Sequence, residues 1–582
     1  MARTYESALS HLAALQSNRA ITSLFSPPPP SSAATSSTAS KQDLNALAIP
    51  EMLAWLQRAG LSQDDIAAKL RCIHVAGTKG KGSVCAYLTA LLTHGGPGTR
   101  ALAGKVGTYT SPHLVSVRER IAINGSPISR DLFARYFYEV WDACTEAARR
   151  ELAARQARAQ AAGGEVGGKG EQEEKEEGEE ISEADLEGPA TKPFYFRFLT
   201  IVALRAFIGE GVRSAVIECG IGGEYDSTNV LPPESVTASV VTQLGIDHVG
   251  MLGGTLPEIA WHKAGVCKPG RKCFTRRLGA KGDAEARAMS EKTMQVLRQR
   301  AKDKNAILIE IEDANVERWG GARVGNQVSG SLEGEFQKYN QALAVHAAQE
   351  HLHILAGESL DHSGARPATG SSLEDIPPSF ATALQYARLR GRCETREDEQ
   401  APITWLIDGA HTAESLTEVA RWFTGKAKAN TQSTYKAKTI LLFNQQDRDA
   451  AKLVRGLLGD IDADVSSLGN QEKGLMFTHA IFTRNDLLPR VTSSSRDEEA
   501  EPERDLSVQQ SAAEALRVTS PSTRISVLDN VADAVAEIRD LANDSRNDGN
   551  GSPQEEKTTV LATGSLHLVG ALLRTLEPDT EI

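Results

Sequence analysis

A chain of 582 residues is too long for one ordinary domain and suits two domains carrying insertions. Hydrophobic residues make up 40% of it, enough for a sizeable core, and no apolar run approaches the roughly 20 residues of a membrane span, which excludes an integral membrane segment. The net charge of −12 is mostly local: eleven acids against Lys169 and Lys175 between Glu165 and Glu187 supply −9 of it, and the balance argues weakly against a nucleic-acid partner.

The opening residues, Met1 to Glu6, lack the apolar core of a secretion signal and carry an early acid, which disfavours a mitochondrial presequence without ruling one out. A cytoplasmic protein is expected, with a mitochondrial pool left open. Tyr5 to Ser17 sets Leu9, Leu12 and Leu15 at helical spacing, and a Pro/Ser-rich connector at 26–40 cannot continue it. From about residue 50 helix and strand alternate. Met52 to Ala59 reads as a helix, Cys72 to Ala76 as a strand and Val84 to Leu92 as a helix. Phe194 to Ile208 is a further helix, and Ala215 to Glu218 and Ala238 to Thr242 are further strands. Short, fully apolar strands separated by helices predict an α/β fold with a mostly parallel sheet covered on both faces.

Three stretches break the alternation. Residues 151–192 begin as a charged helix and turn into an acidic low-complexity run, while 356–379 and 490–521 are rich in Ser, Pro and charge. All three are expected to be solvated insertions, 490–521 a disordered one. A second alternating segment runs from Thr404, with strands at Thr404 to Ile407, Thr439 to Phe443, His479 to Phe482 and Thr559 to Ala562. A boundary near residue 388 divides an N-terminal domain, 1–388, from a smaller C-terminal one, 389–582. The seven cysteines form no CxxC pair and no metal-like cluster, and several sit in apolar runs, so reduced buried thiols are expected.

The strongest local signal follows the strand ending at Ala76. Gly77, Thr78, Lys79, Gly80, Lys81, Gly82 and Ser83 make a glycine-rich turn that opens a helix. Such a turn aims backbone N–H groups and the positive helix end at one point, a geometry that holds polyphosphate. Lys81 can reach the β- and γ-phosphates, and Ser83 can offer its hydroxyl to Mg²⁺. The spacing departs from the common phosphate loop, since Gly82 stands between Lys81 and Ser83; a plain glycine hairpin is the competing reading. Glu218 ends an apolar strand before a glycine-rich turn, at the strand edge where open α/β sheets bind ligands, and could equally cap that turn. His248 follows a strand and Asp247 beside it is the harder oxygen donor, while imidazole suits magnesium poorly. Lys263 stands at the end of a predicted helix, where the dipole alone would favour it. Asp408 ends another strand and can accept from ribose hydroxyls or simply cap an Asp-Gly turn.

The loop Gly77 to Ser83 resembles that of folylpolyglutamate synthases, relatives of the Mur ligases. Tyr109-Thr-Ser-Pro-His-Leu114 with Arg118-Glu-Arg-Ile121, Tyr195-Phe-Arg-Phe-Leu-Thr200 and Ala562-Thr-Gly-Ser-Leu-His-Leu-Val-Gly570 resemble further family motifs in the same order. The third has its eukaryotic form, since bacterial members usually carry Glu where Arg197 stands. The likeness covers nearly the whole chain apart from the insertions. It implies a Mur-ligase-like architecture: a phosphate-loop domain that binds ATP, then a smaller Rossmann-like domain for the incoming glutamate.

The resemblance also implies roles. Glu218, His248 and Ser111 match Mg²⁺ ligands, and Lys263 matches a lysine that is carbamylated in many relatives, which would turn a cation into an anion for a second Mg²⁺. Arg392, in Leu389-Arg-Gly-Arg-Cys-Glu394, matches an arginine that reaches the γ-phosphate from the second domain. Phe336, Gln337 and Asn340 match the adenine side, and His411, Ser565 and His567 are candidates for nucleotide or glutamate recognition. The implied reaction adds L-glutamate to a reduced folate, with ATP as co-substrate, Mg²⁺ as cofactor, a monovalent cation admitted beside it, and a monomer as the expected state. A carboxylate acylates poorly because its leaving group would be oxide; phosphorylating it creates a leaving group that an amine can displace. Lys81, Mg²⁺ and Arg392 would offset charge during that transfer. His248 and His411 are possible bases for the amine, as are a metal-bound group and the phosphate itself. Rival readings are a dihydrofolate synthase, a Mur-type ligase on another carboxylate and a non-catalytic nucleotide sensor.

Overall fold

Strands that lack polar alternation must be covered on both faces, and the first sheet is built in that way. The structure, a computed structural model, describes residues 3–15, 41–163, 183–279, 283–321, 323–324, 327–328, 332–359, 373, 376–430, 438–446, 448–466, 477–490, 502–544 and 557–577. The chain separates into two units. The first comprises Met1–Pro112, Arg118–Gly330 and Lys338–Ala387; the second comprises His113–Val117, Ser331–Gln337 and Arg388–Ile582.

The first unit holds an eight-stranded sheet of β1 (Arg71–Ala76), β2 (Val106–Tyr109), β3 (Ile121–Ile123), β4 (Ser126–Pro127), β5 (Ser214–Glu218), β6 (Val236–Val241), β7 (Lys272–Arg276) and β8 (Ile307–Ile311), in the order β4-β3-β2-β5-β1-β6-β7-β8. Pairing is parallel from β2 through β8 and antiparallel at the β2–β3–β4 edge. Every residue of β5 and β6 is buried, as is β1 after Arg71. The polar side chains among them find partners, because an unsatisfied buried hydroxyl is costly. Ser239 Oγ donates to Val266 O at 2.7 Å, and the buried ring of His351 bridges Thr237 (2.7 Å) and Ser214 (2.8 Å). A small ribbon of β9 (Arg323–Val324) and β10 (Gln327–Val328) completes the strands of this unit.

The second unit holds β11 (Glu394–Glu397), β12 (Ile403–Ile407), β13 (Thr439–Phe443), β14 (His479–Thr483), β15 (Arg524–Leu528) and β16 (Thr558–Thr563), ordered β11-β12-β16-β13-β14-β15. All pairs are parallel except β11–β12. Leu416, Phe423, Leu457 and Leu516 build a core on one face of this sheet, and Trp405, Ile440, Val535 and Leu572 a core on the other. The α/β, mostly parallel class expected from the strand pattern therefore holds in both units.

Several local expectations need correction. Residues 490–521 are not a disordered insertion throughout: Ser507–Thr519 is a helix with Ala512, Ala513, Ala515 and Leu516 buried in the core. Its inward face is made mostly of alanines, which give little apolar signal among Ser, Gln and Glu neighbours. Residues 356–379 are not wholly solvated either, since the helix Gln337–Ser359 buries Ala356 and a second helix starts at Pro378. At the end of 151–192, Leu186 is buried and Lys192 lies over the Trp141 ring at 4.6 Å. The opening helix, Tyr5–Ala14, buries Ala8 and Leu12 rather than Leu9, with Ser7 bonded to Tyr138 at 2.6 Å and His11 stacked on Trp141. The connector 26–40 and most of the acidic run fall outside the described residues.

Candidate active site

The phosphate loop leaves the carboxyl end of the central strand β1 and enters the helix Lys81–His94, whose N-cap is Gly80. Its first half is braced against the segment after β6. Thr78 N and Lys79 N both donate to Gln243 O, at 2.9 and 3.1 Å, and Thr242 Oγ1 donates to Lys79 O at 2.7 Å. Thr78 Oγ1 donates to Gly245 O (3.0 Å) and accepts from Gly245 N (3.1 Å). The N–H groups of Thr78 and Lys79 thus serve the loop's own frame. The groups aimed forward are those of the first helical turn, Lys81, Gly82 and Ser83, which in any α-helix lack intrahelical acceptors. Gly80 has φ 87°, and a Cβ there would stand 2.5 Å from Asn340 Oδ1. Asn340, matched from sequence to the adenine side, therefore packs directly beneath the loop, nearly fully buried.

Two lysines meet at one oxygen. Lys81 Nζ donates to Gly77 O at 3.1 Å, and Lys263 Nζ donates to the same carbonyl at 2.8 Å. Lys263 is 3% exposed and ends the helix Leu256–Lys263. Burial first, then the charge of Lys81, pushes its amine down to about 7. The dipole reading of Lys263 is thus insufficient, because the side chain turns inward to the phosphate loop.

Glu218, the last residue of β5, is buried and its Oε2 accepts from Ser111 N at 3.2 Å, which brings the β5 end and the Thr-Ser-Pro-His turn together. Glu218 and Lys81 both act electrostatically on the buried thiol of Cys85, whose pKa is raised chiefly by burial. His248 has φ 49°, is exposed, and lies 3.8 Å from Asp247 through its Nε2. Asp247 in turn exerts an electrostatic influence on Lys263. Among the described residues no group of three or more His, Cys, Asp or Glu side chains is arranged to hold a metal. The donor set near the loop is one buried carboxylate, Glu218, with the hydroxyls of Ser83 and Ser111. That set suits Mg²⁺, which takes one or two carboxylates and completes its shell with phosphate and water.

In the second unit, Asp408 is buried and both its oxygens are engaged: Oδ2 accepts from Cys393 N at 2.7 Å and Oδ1 from Ala410 N at 2.8 Å. Burial raises its pKa, against the opposing pull of Arg392 and the two N–H groups. The capping reading of Asp408 thus has direct support, and its carboxylate ties the Arg392 segment to the end of β12. Arg392 NH1 lies 3.2 Å from where a Cβ on Gly409 would be. His411 Nδ1 is 3.0 Å from Gly409 O, and Ser565 caps the helix Leu566–Leu576 by accepting from His567 N at 3.1 Å. Phe336 and Gln337 belong to the second unit and Asn340 to the first. Sequence reasoning passed over Thr242, Gln243 and Gly245, and over Asp226. The Asp226 carboxylate accepts from Ile221 N and Thr228 N, each at 2.9 Å, to shape the turn after Glu218. The Asp-Ser-Thr-Asn run at 226–229 was the available signal, because Asp hydrogen-bonding to backbone two residues on is a recurrent turn device.

No protein-family model matches the chain. It is 34% identical to a folylpolyglutamate synthase of Neurospora crassa over 583 aligned positions, covering 99% of this chain and 92% of the relative. It is 33% identical to that of Saccharomyces cerevisiae, covering 98% and 86%. Among solved structures, folylpolyglutamate synthase of Mycobacterium tuberculosis complexed with ADP superposes with a TM-score of 0.59 at 22% identity, over 99% of this chain and all of that one. The structural likeness supports the fold, while the fungal relatives match along nearly their whole length; together with a braced phosphate loop that carries Lys81 and receives Lys263 from a neighbouring helix, they show that this chain belongs to the folylpolyglutamate synthase family.

Proposed function

We propose that the chain is an ATP-dependent ligase that joins L-glutamate to the terminal carboxylate of a reduced folate's glutamate tail through an acyl phosphate, releasing ADP and phosphate. The observation that carries the reading is the convergence of Lys81 and Lys263 on Gly77 O at the mouth of the phosphate loop, in a chain of this family. The first helical turn, Lys81 to Ser83, holds the nucleotide's phosphates through backbone N–H groups and the Lys81 ammonium. A folate carboxylate oxygen attacks the γ-phosphorus, the bond to the β-bridging oxygen breaks, and ADP leaves. Lys81 and Arg392 offset the negative charge that spreads over the transferring group. The glutamate amine then attacks the acyl carbon, and the tetrahedral adduct expels phosphate, which carries away the negative charge while the amine proton passes to a base.

Glu218, with the Ser83 and Ser111 hydroxyls, would hold Mg²⁺, which when bound supplies charge neutralisation on the phosphates. His248 is the further ligand in this reading, with Asp247 as its near neighbour. The carbamate at Lys263 belongs to the same proposal: burial first, then the charge of Lys81, favours the uncharged amine, which adds CO₂ and loses one proton to solvent to leave an anion. His411 and Ser565 contact the incoming glutamate, and a monovalent cation is an optional second ion. A monomer in the cytoplasm completes the proposal, consistent with seven buried free thiols.

The test is incubation with tetrahydrofolate, ATP, Mg²⁺ and L-glutamate, following phosphate release and product mass, with dihydropteroate as a parallel acceptor. Stoichiometric phosphate and a folate longer by one glutamyl unit support the reading. Turnover on dihydropteroate alone would make the chain a dihydrofolate synthase instead.

A further inference from the structure

Glu224 lies in the turn after β5 and takes no part in the steps above, yet its carboxylate is paired with two cations. Its side chain meets Arg300 at 2.6 Å and Lys304 at 2.8 Å, with side-chain exposures of 19%, 12% and 24% for the three groups. Both cations come from the C-terminal end of the helix Ala284–Asp303, where the helix dipole favours positive charge. Arg300 also lies over the Trp261 ring at 4.1 Å, and Trp261 packs on Tyr225. Exposed ion pairs contribute little, but here one carboxylate sits largely buried between two cations, and removing it leaves both unbalanced.

The backbone of Glu224 is joined to the segment that carries Lys263. Glu224 N donates to His262 O at 2.8 Å. Asn229 Nδ2 donates both to Glu224 O (3.0 Å) and to Gly265 O (3.2 Å). At Gly223 the two strands of chain approach so closely that a Cβ would stand 2.8 Å from His262 O and 2.9 Å from Lys263 O. The other half of the turn, nearer Glu218, is held by Asp226. Glu218 and Lys263 therefore stand at the two ends of one frame, whose free corner is closed by the Glu224 cluster.

We propose that Glu224, clamped by Arg300 and Lys304, is a positioning residue that sets Lys263 against Glu218 at the phosphate loop, and so tunes divalent-cation affinity without touching the cation. The proposal rests on reading Glu218 and Lys263 as metal-side residues. Residues that orient ligands from outside commonly govern metal affinity by about 10- to 100-fold, and a clamp acting on the Lys263 backbone belongs at the lower end of that range.

The experiment uses full-length protein with Mn²⁺ as the probe, titrated by electron paramagnetic resonance in the presence of ADP. Thermal melting and metal-free ADP binding by calorimetry are recorded alongside. Glu224→Gln keeps the side-chain size and every backbone bond. It should raise the Mn²⁺ dissociation constant by about tenfold while metal-free ADP binding stays as in the wild type, and Glu224→Asp should recover part of the loss. Unchanged Mn²⁺ affinity with a lowered melting temperature would overturn the proposal, leaving the cluster a purely structural brace. If Glu224→Gln fails to fold, Lys304→Met, which keeps the Arg300 pair, should give a smaller rise in the same constant; no rise there overturns the proposal equally. Wild-type protein that binds no Mn²⁺ with ADP would remove the metal-side reading itself, whereas normal Mn²⁺ binding without folate glutamylation would count against the function and not against the clamp.

Discussion

Lys263 has the least comfortable position of any cation in the site. It is buried, it shares the Gly77 carbonyl with Lys81, and its amine is pushed down to about 7 from an ordinary 10.5. The unfolded chain keeps that proton up to about pH 10.5, whereas the native state releases it near pH 7. Between those values the unfolded state binds more protons, so this group makes stability rise with pH, and its full penalty is felt below about 7. Lys263→Met removes the penalty. Thermal melts of the ligand-free protein should show the variant gaining on the wild type as pH falls from about 10 to about 7, while glutamyl ligation falls by about 100-fold. A melting difference that does not change with pH would contradict this account of the amine. At Gly80 the argument is steric. A Cβ there meets Asn340 Oδ1 at 2.5 Å, on a backbone with φ 87°. Gly80→Ala should cost about 1–3 kcal/mol of stability and abolish measurable ADP binding by calorimetry; ADP binding at wild-type strength would show that the loop tolerates the change.

Among the secondary-structure elements, the helix Ser507–Thr519 shows most clearly what a sequence pattern conceals. Its inward side chains, Ala512, Ala513, Ala515 and Leu516, bury fully, but three of the four are alanines that add little to an apolar count. Leu516→Ala should destabilise the protein by about 3 kcal/mol, read by urea unfolding; a change within a few tenths of that scale's error would return the segment to the surface. Strands β5, β6, β12 and β13 were legible for the opposite reason, since burial on both faces leaves short runs dominated by apolar residues, broken only by Ser, Thr and a terminal Glu. The candidate residues that stood out in the sequence are those whose side chains carry the chemistry, and the structure places Lys81, Ser83, Glu218 and Lys263 at or beside the phosphate loop. It was not legible where the work is done by main-chain atoms. The loop is braced by the carbonyls of Gln243 and Gly245, which any residue could supply. Asp408 shows the limit from the other side, because a carboxylate at a strand end reads alike whether it binds a ligand or, as here, accepts from Cys393 N and Ala410 N.

In the molecule as a whole, each unit gathers its candidate residues at the carboxyl ends of its own sheet's strands. The first carries a phosphate loop with its lysines and one buried carboxylate; the second carries Arg392, fastened through Asp408 to the end of β12, and the Ser565-capped helix. The chain belongs to the folylpolyglutamate synthase family, and the reaction proposed for it requires that a folate carboxylate be phosphorylated before the amine arrives. The most direct test labels that carboxylate with ¹⁸O and supplies tetrahydrofolate mono-glutamate so labelled with ATP, Mg²⁺ and L-glutamate. Direct attack on the γ-phosphorus predicts that one labelled oxygen per turnover appears in the released phosphate and that the new amide keeps the other. Phosphate free of label, with a glutamylated folate formed at the same rate, would contradict it.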